Sequence, residues 1–169
     1  MPPPKLPSEI LLRVLKVARF DGMSVLILAG LFALVSAAEL DVSGTIWGIL
    51  ITAAGAVELR GVKLLKARKP GMQWLIASQL YLMTVILFYV CFRILNLARD
   101  PMLAEVTSSF KQAGMDMDQM PIDLQQLART GYLAVAALTV IYQGGMCLYY
   151  VRRRAPVEIA IRSDGPAQA

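Results

Sequence analysis

Four apolar runs, separated by segments that hold most of the charge, limit most strongly how this chain folds. They fall at residues 22–38, 43–65 (the span itself to about 59, an apolar stripe beyond it), 73–98 and 121–152 (the span itself about 131–151). A helix needs about 20 apolar residues to cross a hydrocarbon core about 30 Å thick. Inside that core every backbone N–H and C=O must find its partner within the segment, so the runs read as spanning helices. Composition agrees. Of 169 residues 57% are hydrophobic and only 17% charged, against roughly 25% charged in soluble domains. The expected fold is an all-α membrane protein of one domain: four transmembrane helices in a bundle, with an N-terminal amphipathic interfacial helix and a helical outer cap between spans three and four.

The first run invites a rival reading. Val35-Ser36-Ala37-Ala38 resembles the small-residue cleavage site of a secretory signal peptide. The leader ahead of the apolar core, about 20 residues long, exceeds what such a signal carries, so the run is read as an anchor.

Lysine and arginine set the orientation. Lys5, Arg13, Lys16 and Arg19 precede span one, Arg60, Lys63, Lys66, Arg68 and Lys69 follow span two, and Arg152, Arg153, Arg154 and Arg162 follow span four. Only Arg93, Arg99, Lys111 and Arg129 fall on the other side. The positive-inside rule then puts both termini in the cytoplasm. Trp47 and Tyr132 would anchor the outer boundary, and Phe20, Trp74, Tyr149 and Tyr150 the inner one. The compact loops, with no N-glycosylation signal in the outer one, suit a bacterial inner membrane.

The net charge of +5 raises nucleic acid as a partner. The basic residues hug the ends of apolar runs and form no separate basic domain, so a membrane accounts for them and nucleic acid is set aside. Residues 7–20 place Ile10, Leu11, Val14, Leu15 and Ala18 at helical spacing. Such a helix is expected to lie on the inner surface, with Arg13, Lys16 and Arg19 on anionic headgroups. In the loop, Asp100-Pro101 starts a helix and Leu103, Val106, Phe110 and Ala113 form its apolar stripe. That predicts the outer cap over 100–120. Asp116, Asp118 and Asp123 lack the spacing, turn glycine and terminal Glu of a calcium loop.

Span two carries Gly48, Thr52 and Ala56 at four-residue spacing, a small-residue face that favours tight helix association within or between chains. Gly30, Ala33 and Ala37 form a similar face on span one. The break between spans two and three is expected at Lys69-Pro70-Gly71. Cys91 and Cys147 differ in depth and are expected to stay unpaired.

Ionisable groups inside spans are costly and begin as functional candidates. Glu58 reads either as an interfacial carboxylate pairing with Lys63 or as a group lining a cation or proton route. Arg93 reads either as snorkelling outward, or pairing with Glu39 or Asp41, or as a fixed charge in a vestibule. Gln143, like Gln79, Thr84 and Thr139, needs a partner in hydrocarbon. The chain has no histidine, and no paired carboxylates or nucleophile with a base stand out, so neither an enzyme nor a bound cofactor is expected. The sequence favours a structural or accessory subunit that assembles with itself or with other membrane proteins. The alternative is a small oligomeric ion or proton channel or transporter with Glu58, Arg93 and Gln143 near its path.

Overall fold

The computed structural model describes residues 6–97, 106, 108, 109, 112 and 123–163. It is an all-α bundle of four long helices, α1 (Pro7–Ala38), α2 (Val42–Lys66), α3 (Met72–Leu95) and α4 (Leu124–Ser163). Each holds an 18-residue stretch apolar enough to span a bilayer, with mean hydropathy of 1.5 to 2.0. Many large apolar side chains are exposed, among them Leu28, Phe88, Leu138 and Ile141. Water would penalise such a surface and lipid does not. The protein is an integral membrane protein with four spanning helices.

Two helices are longer than their apolar runs. Residues 7–20, expected as a separate surface helix, continue without a break into span one as the 32-residue α1. Its apolar stripe is also not free for lipid: Leu11, Val14 and Ala18 are buried. At its other end α4 runs on through the basic cluster to Ser163 with Pro156 inside it, a residue that removes one backbone donor from the ladder. These extensions meet. Leu11, Val14 and Ala18 pack with Val62, Leu65, Met72, Leu75, Tyr150, Val157 and Ala160 in one core cluster. The first and last helical segments therefore share one end of the bundle. Of the expected outer cap over 100–120, Val106, Ser108, Ser109 and Gln112 are helical, and the remainder lies outside the described residues.

The first two helices end in left-handed stops built without glycine. α1 closes on Leu40 at φ 59° and α2 on Arg68 at φ 57°. In each case the next N–H reaches back to a carbonyl in the last turn, Asp41 to Ser36 at 2.8 Å and Lys69 to Leu64 at 2.9 Å. This is the left-handed helix stop usually reserved for glycine. The break at Lys69-Pro70-Gly71 falls between α2 and α3 as expected.

The chain divides into two compact units, residues 1–85 with 142–169, and residues 86–141. In the first, α1 and α2 pack along each other through small residues. A Cβ added to Gly48 would sit 2.7 Å from the Ala33 Cβ, and one added to Gly55 would sit 2.8 Å from the Gly22 carbonyl. Only hydrogen at these positions lets the two backbones approach so closely.

Candidate functional site

The approach at Gly22 and Gly55 has a chemical consequence. Asp21 precedes Gly22 on α1, and a Cβ on Gly22 would touch Cβ and Cγ of Glu58 at 3.3 Å. The crossing thus brings two acidic residues together inside the bundle. Asp21 is 6% exposed and Glu58 1%.

Gln79 of α3 joins them. Its amide nitrogen Nε2 donates to Asp21 Oδ2 at 2.8 Å and to Glu58 Oε1 and Oε2 at 3.1 Å each. The two carboxylates therefore lie within two hydrogen-bond lengths of each other. From α4 the Tyr150 hydroxyl donates to Glu58 Oε1 at 2.8 Å, and the Tyr142 hydroxyl donates to Asp21 Oδ1 at 2.8 Å. Each of the four helices contributes to one chain of hydrogen bonds, Tyr150–Glu58–Gln79–Asp21–Tyr142. Tyr150 and Tyr142 are eight residues apart, so the chain covers about 12 Å along α4. Its Tyr150 end is fully buried, while Tyr142 is 54% exposed.

Charge balance sets the site apart. Every donor to the two carboxylates is a neutral amide or hydroxyl, and among the described residues no lysine or arginine pairs with either. Arg60, two residues from Glu58, instead stacks its guanidinium over the Trp74 ring at 4.7 Å. Buried carboxylates are ordinarily balanced by a basic group or a cation. The Gln79 carbonyl oxygen Oε1 is buried in the same place with no hydrogen-bond partner. A positive ion could sit between the carboxylates and take that oxygen as a further ligand only if the Gln79 amide turned over, because its NH2 now fills that space.

The residues singled out from sequence are distributed as follows. Glu58 belongs to this chain of bonds and is buried, so the interfacial pairing with Lys63 does not form. Gln143 is buried on α4 next to Tyr142, but its Oε1 has no partner. Arg93 lies in the second unit, where its Nε donates to the Tyr132 hydroxyl at 3.0 Å and its guanidinium sits 5.9 Å from the Tyr89 and Tyr132 ring centres. Gly48 faces Ala33 across the α1–α2 contact. Thr52 donates to the Gly48 carbonyl at 2.7 Å, and Ala56 is exposed. Arg13, Lys16 and Arg19 are exposed on α1. Tyr150, expected as a boundary anchor, is instead at the centre of the core. Cys91 and Cys147 are unpaired. Asp21 and Tyr142 join the site without being candidates from the sequence.

No protein-family model, curated protein or solved structure matches this chain.

Proposed function

We propose that the protein is a small channel or transporter for a proton or a small monovalent cation, with Asp21 and Glu58 as the carboxylates that hold the ion. One observation carries the reading: two buried carboxylates bridged by one amide, with only neutral donors around them. Ionisable groups held inside spanning helices characteristically mark ion and proton routes. An acidic pair without a basic partner is suited to a positive charge that comes and goes, where a permanent salt bridge would hold it fast. In this reading Gln79 keeps the carboxylates in register, and Tyr142 and Tyr150 hold them from α4. The role assigns no catalysis to the chain. Four helices leave little room for a wide aqueous path, so the working form is proposed to be an oligomer. Its basic end is proposed to face the cytoplasm of a bacterium, attracted to anionic headgroups there.

The test is flux through the purified protein in sealed vesicles, followed with a pH-sensitive dye and, separately, with a sodium- or potassium-sensitive one. The native chain is expected to collapse an imposed gradient of one of these ions. Glu58→Gln and Asp21→Asn are each expected to abolish that leak while the protein remains folded and monodisperse. Equal flux in the native chain and in both variants would remove the transport role.

The structural or accessory reading has a specific rival prediction. It treats the polar chain of bonds as a pin that fixes helix register, so the native protein would show no flux and the variants would only be less stable. Its sequence support is weakened because Gly48 and Gly55 are occupied within the chain, which leaves less of that face for a partner.

A further inference from the structure

Alongside the polar cluster, α1 lines a groove of about 820 Å³ that also takes in Lys66 at the end of α2 and Tyr142 of α4. The chemistry of the groove changes along α1. Beyond Leu12 and Leu15 come three basic side chains, Lys16, Arg19 and Lys66. Among the described residues none of the three is in an ion pair. Past them the lining is mainly apolar, with Phe20, Met23 and Ile27 on successive turns of α1 and Ser24 between them. The one acidic residue in the lining, Asp21, is already engaged by Gln79 and Tyr142.

The length of the groove also has a meaning. From Arg19 to Ile27, α1 rises about 12 Å at 1.5 Å per residue. That is most of the half-thickness of a hydrocarbon core about 30 Å thick. Three basic side chains outside any ion pair among the described residues, followed by an apolar trough covering most of one leaflet, match a molecule with an anionic head and a long alkyl tail. A soluble anion would use only the basic part.

We propose that this groove is a binding site for one anionic phospholipid, its phosphate on Lys16, Arg19 and Lys66 and an acyl chain along Phe20, Met23 and Ile27. The site differs from the diffuse attraction of a basic surface to acidic lipids. Arg13 and Lys63 belong to that surface and do not line the groove. A seated chain would lie against Tyr142, the exposed end of the polar cluster. The proposal stands on the groove alone and does not depend on ion transport.

Native mass spectrometry of the full chain, stripped of lipid in detergent and titrated with phosphatidylglycerol or phosphatidylcholine of the same chain length, tests it. Preferential binding of one phosphatidylglycerol is expected. Lys66→Gln should weaken it about fivefold, and the pair Lys16→Gln with Arg19→Gln by about that factor for each charge, from an attraction of about 1 kcal/mol per basic residue. The pair Arg13→Gln with Lys63→Gln removes the same charge outside the groove and should leave binding unchanged. Met23→Trp, which fills the trough, should weaken it with every charge retained. Glycerol 3-phosphate, which has the head without the tail, should not compete. Equal binding of the two lipids, an equal loss in the outside pair, no loss in Met23→Trp, or full competition by the tail-less phosphate would each overturn the proposal.

Discussion

The Tyr150 hydroxyl has no water to turn to if its bond to Glu58 is lost, because the side chain is 0% exposed. The same holds for the carboxylate it serves. Removing a donor from a buried charged acceptor leaves the acceptor short, and bonds to charged groups contribute more than neutral ones. Tyr150→Phe keeps the ring and removes only the hydroxyl. It is expected to cost about 1.5–3 kcal/mol in unfolding in detergent, while Tyr149→Phe, whose hydroxyl is buried without a partner, should cost little or even stabilise. Equal losses in the two variants would show that the Glu58 bond contributes nothing particular. At this scale the sequence was half legible. Glu58 and Gln79 announce themselves as polar groups within apolar runs. Asp21 does not, since it stands where the amphipathic segment meets the first span and looks like the boundary between them. The signal lay in register. Leu11, Val14 and Ala18 recur at three- and four-residue steps, and the next step falls on Asp21. Reading 7–38 as one helix would have put that carboxylate on the buried face.

Helix geometry decides whether the two acids meet at all. Gly55 allows α2 to lie against the backbone of α1 at Gly22, and an added methyl there would be 2.8 Å from both the Gly22 carbonyl and the Leu26 nitrogen. Backbone cannot yield as a side-chain tip can. Gly55→Ala is therefore expected to push the helices apart at a cost of about 1–3 kcal/mol, and to abolish flux although both carboxylates remain. Ala53→Leu, on an exposed position of the same helix, should change neither. Normal flux in Gly55→Ala would separate transport from the close crossing. The helix stops offer a change of opposite sign. Leu40 holds a left-handed conformation at φ 59° and is 86% exposed, so it has strain and little packing to lose. Leu40→Gly relieves about 1–2 kcal/mol of that strain and returns part of it as extra freedom of the unfolded chain. A net gain of about 0.5–1 kcal/mol is expected in thermal unfolding. The existence of these elements was legible because apolar runs of spanning length leave few alternatives. Their true ends were not, because the extensions are held by packing between distant segments and not by local propensity.

Across the whole molecule two different forces act on the same helices. Within the hydrocarbon, lipid tails are as apolar as the side chains that pack together, so association there rests on close contact and polar bonds. At the end where α1 begins and α4 finishes, Leu11, Val14, Val157 and Ala160 form a core next to the Arg152–Arg154 cluster, beyond the apolar run. Its place in the sequence sets that core outside the hydrocarbon by expectation, and burial there would draw on the hydrophobic effect as in a soluble protein. Two identical truncations separate the contributions. Val157 is fully buried in the water-side core, and Val85 is 8% exposed on α3 within the apolar run. Val157→Ala loses both transfer free energy and packing, about 2 kcal/mol. Val85→Ala loses mainly packing, about 1 kcal/mol, because its side chain stays in an apolar solvent when the helices come apart. Unfolding in bilayer-like discs by a denaturant that leaves the spans inserted is the measurement. A larger loss at Val157 would place much of the bundle's stability at its basic end, outside the membrane. Equal losses would mean that the bundle is held as one membrane-packed body, with its extensions adding nothing of their own.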